Sequence, residues 1–246
     1  MEQIKILFPK PLKKSIFLER PNRFILHCVL EEGNEQVIVH LADPGRLKEL
    51  LQPGTVVWLL ENDNPKRKTR WTAVLCENPL IPGGFVSINT TYPNRLIERA
   101  LKQNAIEELN GWNYKKSEYK LGVSRWDFLL ENNVGRELLL EVKSVTLADD
   151  RVGRFPDAVT ARGTKHVKEL SEIAHGNLYE TAILFVAQRE DLDQVTTASH
   201  IDPLFAEAFA NAYKSGVKMI GRSCFLSLDG IGLGNKLEVY PEEQFV

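Results

Sequence analysis

At 246 residues the chain can hold one large domain or two ordinary ones, and its 43% hydrophobic content supplies a substantial core. A formal net charge of -2 argues against bulk electrostatic attraction to nucleic acid but leaves room for a local basic patch. The 3 cysteines, Cys28, Cys76 and Cys224, are scattered and odd in number, which predicts reduced thiols in a cytoplasmic protein and excludes a cysteine-based zinc site. Residues 1–20 lack the apolar core of a signal peptide, and no segment approaches the length of a membrane span, so no membrane partner is expected.

The first third reads as antiparallel β. Residues 15–19 and 24–30 are predicted strands, and residues 31–35 turn the chain into a third over 36–41. Asp43-Pro44-Gly45 breaks the pattern, residues 46–51 form a short helical turn, and 55–60 and 69–76 are two more strands. Short strands with regular turn signals predict a small OB-like β-barrel. Its last two strands are joined by Asn64-Pro65-Lys66-Arg67-Lys68-Thr69-Arg70-Trp71. There Lys66, Arg67, Lys68 and Arg70 can grip a sugar-phosphate backbone and Trp71 can stack on a base. The plainer alternative is a solvated loop whose indole anchors the next strand. Arg46 is a second candidate phosphate contact, or else an ordinary surface residue at a helix start.

Prolines and glycines concentrate in Pro79-Leu80-Ile81-Pro82-Gly83-Gly84, which divides the chain into residues 1–84 and 85–246. Residues 85–89 form a short strand. Leu96, Ile97, Ala100, Leu101, Ile106 and Leu109 recur at helical spacing, predicting a helix over 94–109 that carries Glu98 and stops at Gly111. A strand over 114–121 carries Glu118.

Two apolar runs, 124–131 and 136–145, then flank the polar turn Asn132-Asn133-Val134-Gly135, a hairpin signal. Folding about Val134 sets Asp127 across from Glu141 on neighbouring antiparallel strands, where opposed Cβ atoms lie about 5 Å apart. Lys143, two residues on, shares their face. Two carboxylates that close repel unless a proton or cation lies between them. With the Val142 backbone carbonyl as a third oxygen ligand, the set suits Mg²⁺ or Mn²⁺. Lys143 would stand beside the attacking water and the phosphate. The alternative is an internal ion pair of Lys143 with either acid.

Beyond Gly153 a helix over 164–174 is predicted, with His166 bordering its apolar face and so directed toward the carboxylates, or else a partly exposed structural histidine. Residues 181–187 read as a strand buried on both faces. Asp202 caps a helix over 203–214, and 217–226 and 237–240 complete the sheet.

The order helix, strand, strand, strand, helix, strand, with Asp127 on the second strand and Glu141-Val142-Lys143 on the third, resembles the core of the PD-(D/E)xK nuclease superfamily. Pro156-Asp157 follows this motif instead of preceding it and is a decoy. Gly122-Val123-Ser124-Arg125-Trp126-Asp127-Phe128, Glu141-Val142-Lys143-Ser144-Val145-Thr146-Leu147 and the run from Phe155-Pro156-Asp157 to Gly163-Thr164-Lys165-His166 are similar to the sugar fermentation stimulation protein A family. The resemblance spans nearly the whole chain. It implies an N-terminal OB-like domain, a C-terminal αβββαβ nuclease-like domain, and a DNA-binding cytoplasmic protein linked by name to sugar catabolism. One position departs from it: the acid the family often carries before the Ala of its Asn-Arg-Leu helix is Arg99 here, with Glu98 one place earlier, so Glu98 and Glu118 stand as alternative contributors. The expectation is a Mg²⁺-dependent phosphodiesterase acting on DNA. The alternative is a non-catalytic, sequence-nonspecific DNA-binding regulator.

Overall fold

The computed structural model describes residues 4–176 and 178–242. After a short strand β1 (Lys5–Leu7), strands β2 (Lys13–Asn22), β3 (Ile25–Leu30), β4 (Gln36–Leu41), β5 (Val56–Glu61) and β6 (Trp71–Glu77) form one sheet. Its order β4-β3-β2-β5-β6 is closed into a barrel by a parallel β4–β6 pairing, and β7 (Phe85–Ser87) extends it past β6. This is the OB-type barrel expected from the strand spacing. Alternation fills its interior: Leu26, Cys28 and Leu30 point inward from β3, as do Val37, Val39 and Leu41 from β4.

The rest of the chain builds a larger sheet. Its elements are α1 (Thr91–Lys102), β8 (Trp112–Leu121), β9 (Ser124–Asn132), β10 (Glu137–Val145), β11 (Ala148–Asp149), β12 (Val152–Phe155), α2 (Ala161–His175), β13 (Tyr179–Ala187), β14 (Gln194–Thr197), α3 (Pro203–Lys214), β15 (Lys218–Ser227) and β16 (Gly230–Val239). The strand order is β11-β12-β14-β16-β15-β13-β10-β9-β8, and β1 joins this sheet by pairing with β16. Strand β13 lies parallel to both β10 and β15. It is buried on both faces, as its unbroken apolar run predicted: Ala182, Leu184 and Val186 pack on the α1 side, Ile183, Phe185 and Ala187 on the α2–α3 side.

Barrel and sheet share a core, because Val74 and Leu75 of β6 pack with Leu96, Ile97 and Leu101 of α1 and with Leu138 and Leu140 of β10. Polar links pin the far end of β10 to the barrel. Gln188 N–H donates to Val145 O at 2.8 Å, and Ser87 N–H donates to Gln188 O at 2.8 Å. The buried Arg189 guanidinium bonds Thr146 O and Asn78 Oδ1, each at 3.1 Å. The strand carrying Glu141 and Lys143 is thereby held from both units.

Strands β1, β11, β12 and β14 were not expected, and three expected elements have other bounds. The helix expected over 94–109 begins at Thr91 and ends at Lys102. Asn104 takes a left-handed φ of 50°, with Asn104 N–H on Leu101 O and Ala105 N–H on Ala100 O, which is a Schellman termination. Ile106 and Leu109 belong to a separate 3₁₀ turn, Glu107–Leu109, and are buried all the same, so their spacing mimicked one continuous helix. The second helix begins earlier than residue 164, at Ala161, because Thr160 caps it. Strand β16 runs from Gly230, not from 237. A side chain at Gly230 would collide with the Ile6 carbonyl of β1, so there the glycine permits close strand packing.

Candidate active site

The β9–β10 hairpin pairs Glu131 with Glu137, Leu130 with Leu138, Leu129 with Leu139 and Phe128 with Leu140. One further step in that register sets Asp127 opposite Glu141, at the point where ladder pairing ends. There Asp127 Oδ2 accepts the Val142 N–H at 2.7 Å in place of a strand bond. A strand residue's N–H and C=O point to the same edge, so the Val142 carbonyl faces the Asp127 side. The Val142 side chain packs in the opposite core with Leu138 and Leu140. Asp127 Oδ1 accepts from Asn94 Nδ2 in the first turn of α1, at 2.7 Å.

Glu141 is only 5% exposed. Its Oε1 accepts from Lys143 Nζ at 2.6 Å and lies 2.8 Å from His166 Nδ1. His166, buried on α2, leans on Trp126 with ring centroids 5.3 Å apart. The two acids are electrostatically unlike. Burial, reinforced by the charge of Glu141, pushes Asp127 up to about 6. Burial works on Glu141 too, but the His166 hydrogen bond and the Lys143 charge outweigh it and hold Glu141 below its ordinary value.

These donors fit a hard divalent cation. They are all oxygens, and a cation between the carboxylates would relieve the burial and repulsion that raise Asp127. Among the described residues no group of three or more His, Cys, Asp or Glu side chains is arranged to hold a metal. The carboxylates of Asp127 and Glu141 with the Val142 carbonyl are the groups that could hold a divalent cation.

The auxiliary acids are not brought to this place. Glu98 is bound to Lys102 at 2.7 Å and to the Tyr114 hydroxyl at 3.0 Å. Glu118 stands across from Asp127 in the β8–β9 register, yet its left-handed φ of 52° and its ion pair with Arg125 at 2.6 Å hold its carboxylate in solvent. Asn94, the first residue of the Asn-Arg-Leu run but not a site candidate in the sequence, is the helix residue that bonds Asp127.

The basic loop divides. Lys66, Arg67 and Lys68 are exposed in the β5–β6 loop. Trp71 is not available for base stacking: it is 7% exposed and its ring belongs to the barrel core, because β6 is covered on both faces. Arg70 covers that ring at 5.4 Å and pairs with Glu61 at 2.5 Å, so the indole anchors the strand. Arg46 lies where the barrel meets the larger sheet. Its N–H donates to Asp157 Oδ2 at 2.8 Å across the two units, and its side chain is exposed in a groove with Arg23 and Lys48.

A cavity of about 390 Å³ runs between the Asp43-Pro44-Gly45 loop of the barrel and residues 155–160. Lys143, Val142, Arg23 and Arg154 line it. On the other side of His166 a second groove is lined by Lys120, Arg125, Arg162 and Lys165. Cations from segments far apart in sequence thus line two grooves that reach Lys143 and His166, the partners of Glu141, although the whole chain is slightly acidic. The literal Pro156-Asp157 serves this interface through the Arg46 bond, not the carboxylate pair.

Two family models match the chain. "SfsA N-terminal OB domain" matches residues 18–88 and "Sugar fermentation stimulation protein RE domain" residues 91–230. The sugar fermentation stimulation protein homolog of Shouchella clausii is 47% identical over 229 residues, covering 93% of this chain and 97% of that one. The homolog of Clostridium tetani is 38% identical, covering 95% and 99%. The structure of Pyrococcus furiosus SfsA in complex with Ca²⁺ superposes with a TM-score of 0.86 at 26% identity, covering 98% of this chain and all of that one. The chain belongs to the sugar fermentation stimulation protein family.

Proposed function

We propose that the protein is a divalent-metal-dependent phosphodiesterase acting on DNA in the cytoplasm, with DNA held mainly by residues 1–84 and cut by residues 85–246. The observation that carries this reading is the buried Glu141, with Lys143 Nζ at 2.6 Å, set opposite the half-buried carboxylate of Asp127, while Lys143 also lines the cavity between the two units. Asp127, Glu141 and the Val142 carbonyl are the groups that would hold Mg²⁺ or Mn²⁺. When bound, such a cation supplies Lewis-acid polarisation and charge neutralisation at the phosphate. That the Pyrococcus furiosus relative forms a complex with Ca²⁺ supports divalent binding in the family.

The chain's own groups do the rest. Lys143 orients a water and offsets charge growing on the phosphoryl oxygens. His166 fixes Glu141 through Oε1 and is itself held by Trp126. Asn94 and the Val142 N–H hold Asp127. The surrounding arginines and lysines bring phosphates to this point.

The test is cleavage of DNA in Mg²⁺ or Mn²⁺. Lys143→Ala is expected to slow it by about 100-fold or more while binding survives. A second reading, DNA binding without turnover by a regulator of sugar catabolism, is favoured by one observation: Glu141 Oε1 is already shared by the Lys143 ammonium and the His166 ring nitrogen. Salt-dependent binding with no cleavage in any divalent metal would select it.

A further inference from the structure

Residues 156–160 mount an apolar side chain in solvent on a rigid support. Val159 is 70% exposed. Yet Asp157 two residues before it accepts the Arg46 N–H at 2.8 Å, and the Thr160 N–H after it donates to Asp202 Oδ2 at 2.8 Å. Thr160 also caps α2 through its hydroxyl, which accepts the Gly163 N–H. Phe155 packs edge-on against Phe185 and Phe205, with centroids 5.8 and 5.0 Å away.

A lone exposed valine is ordinary on a protein surface. Val159 differs in its position. It borders the cavity that holds Lys143 and Arg154, the groove of Arg23 and Arg46, and an apolar hollow shared with Leu204, itself 62% exposed. Arg162 stands three residues on, in the groove beside His166. Arg23, Arg46 and Arg162 make no ion pair among the described residues, so their charges are open to an anionic partner. An apolar tip ringed by unpaired arginines is complementary to a nucleic acid duplex, which offers phosphates outside and apolar base faces within.

We propose that Val159 is a wedge that enters the DNA base stack beside the carboxylate pair, so that the preferred substrate is a duplex containing an unpaired or unstacked step. This rests on the DNA reading above. Parting two stacked base pairs costs free energy, least where a step is already disrupted, so a fixed wedge discriminates in favour of such steps. The rigid mount matters because a flexible tip would lose further entropy on insertion.

The experiment measures binding of the full chain by fluorescence anisotropy in Ca²⁺. The probes are an intact duplex and the same duplex with a single-nucleotide bulge, with 2-aminopurine beside the bulge. The bulged duplex should bind about tenfold tighter, with 2-aminopurine fluorescence rising on binding as the base unstacks. Val159→Ser should bring the two affinities within about twofold and abolish the fluorescence rise, whereas Val159→Leu keeps both. Val134→Ser, at the more exposed turn of the β9–β10 hairpin, keeps both as well. Equal affinity of the unaltered chain for the two duplexes, or a preference that survives Val159→Ser, overturns the wedge while leaving DNA binding in place. Absence of binding to either duplex at any salt overturns the DNA reading and the wedge with it.

Discussion

Gly45 and Asp157 meet where the barrel touches the larger sheet, so closely that a Cβ on Gly45 would occupy the position of the Asp157 carboxylate. The same Cβ would lie 2.9 Å from Asp43 Oδ1, which accepts the Gly45 N–H at 2.7 Å. Both acids are short side chains already committed to backbone donors, so neither can swing away freely. Asp43 is moreover pushed up to about 6, first by burial and further by the charge of Asp157. Gly45→Ala is therefore expected to destabilise the fold by about 1–3 kcal/mol, the usual size of overpacking, in urea unfolding. The same change should lower DNA affinity, because it shifts the wall of the groove that carries Arg46. A variant as stable as the parent would show that this contact is slack.

Asp127 carries a pH signature. Its pKa rises from an ordinary 3.8 to about 6, chiefly through burial. Because the folded value lies above the unfolded one, the folded state holds the proton more tightly. This group's contribution to stability is fully present below about pH 4 and is lost as pH rises through about 6, amounting to about 3 kcal/mol at most. Asp127→Asn removes the penalty. The amide can still accept from the Val142 N–H but fits the Asn94 amide less well, a loss that does not vary with pH. The difference in Tm between variant and parent, measured without divalent metal, should move in favour of Asp127→Asn between about pH 4 and 6 and level off above. A flat difference would mean that the carboxylate titrates normally. Cation binding requires the ionised form, so Mn²⁺ affinity should weaken by about tenfold per pH unit below about 6.

The carboxylate pair was legible in the sequence because it depends only on a hairpin register and a period of two. The Asn132–Gly135 turn and the alternation on either side fix which residue faces which, and Lys143 follows by parity. His166 was legible for a similar reason, since a helical wheel places it at the border of the apolar face. Asn94 escaped because its role depends on how α1 crosses the end of the sheet, which local periodicity does not encode. For Trp71 the sequence left two readings, base stacking or anchoring of the next strand, and could not choose between them because coverage of both faces of β6 is a tertiary fact. The pairing of β1 with β16 joins the two ends of the chain and leaves no local signal. The groove cations likewise come from segments that meet only in the fold.

Those cations set up a comparison between two basic regions. Arg23 and Arg46 border the groove beside residues 158–159 and Arg162 the groove beside His166, whereas Lys66, Arg67 and Lys68 project from the β5–β6 loop. Removing one phosphate-binding cation lowers the slope of log K against log salt by about 0.9. Replacing the three arginines with Gln should reduce that slope by about 2–3 and weaken binding to all sequences alike. Replacing Lys66, Arg67 and Lys68 should reduce it less. Equal reductions would return the loop to the role its composition suggested, and a larger effect from the loop would move the DNA path away from the carboxylates.

Arg189 tests how far the chemistry depends on contact between the units. Its side chain is 1% exposed; it donates to Asp191 through Nε at 2.7 Å and Nη2 at 2.6 Å, and it reaches Thr146 O and Asn78 Oδ1 with its remaining donors. Burial raises the Asp191 pKa, but the Arg189 bonds outweigh it and leave Asp191 below its ordinary value. Arg189→Ala would strand that carboxylate and remove the bridge between the end of β10 and the barrel. Breaking one side of a buried ion pair typically costs about 3–5 kcal/mol. Sign follows from the lowered pKa: the stability Asp191 contributes is present above about pH 4 and lost as pH falls through its folded value. The loss caused by Arg189→Ala should therefore be large at pH 7 and shrink toward pH 3, measured by guanidinium unfolding across that range. Arg189→Met, which refills the space without restoring the charge, should still be destabilised at pH 7. A pH-independent loss in both variants would mean that packing of the long side chain, rather than its pairing with Asp191, holds the two units together.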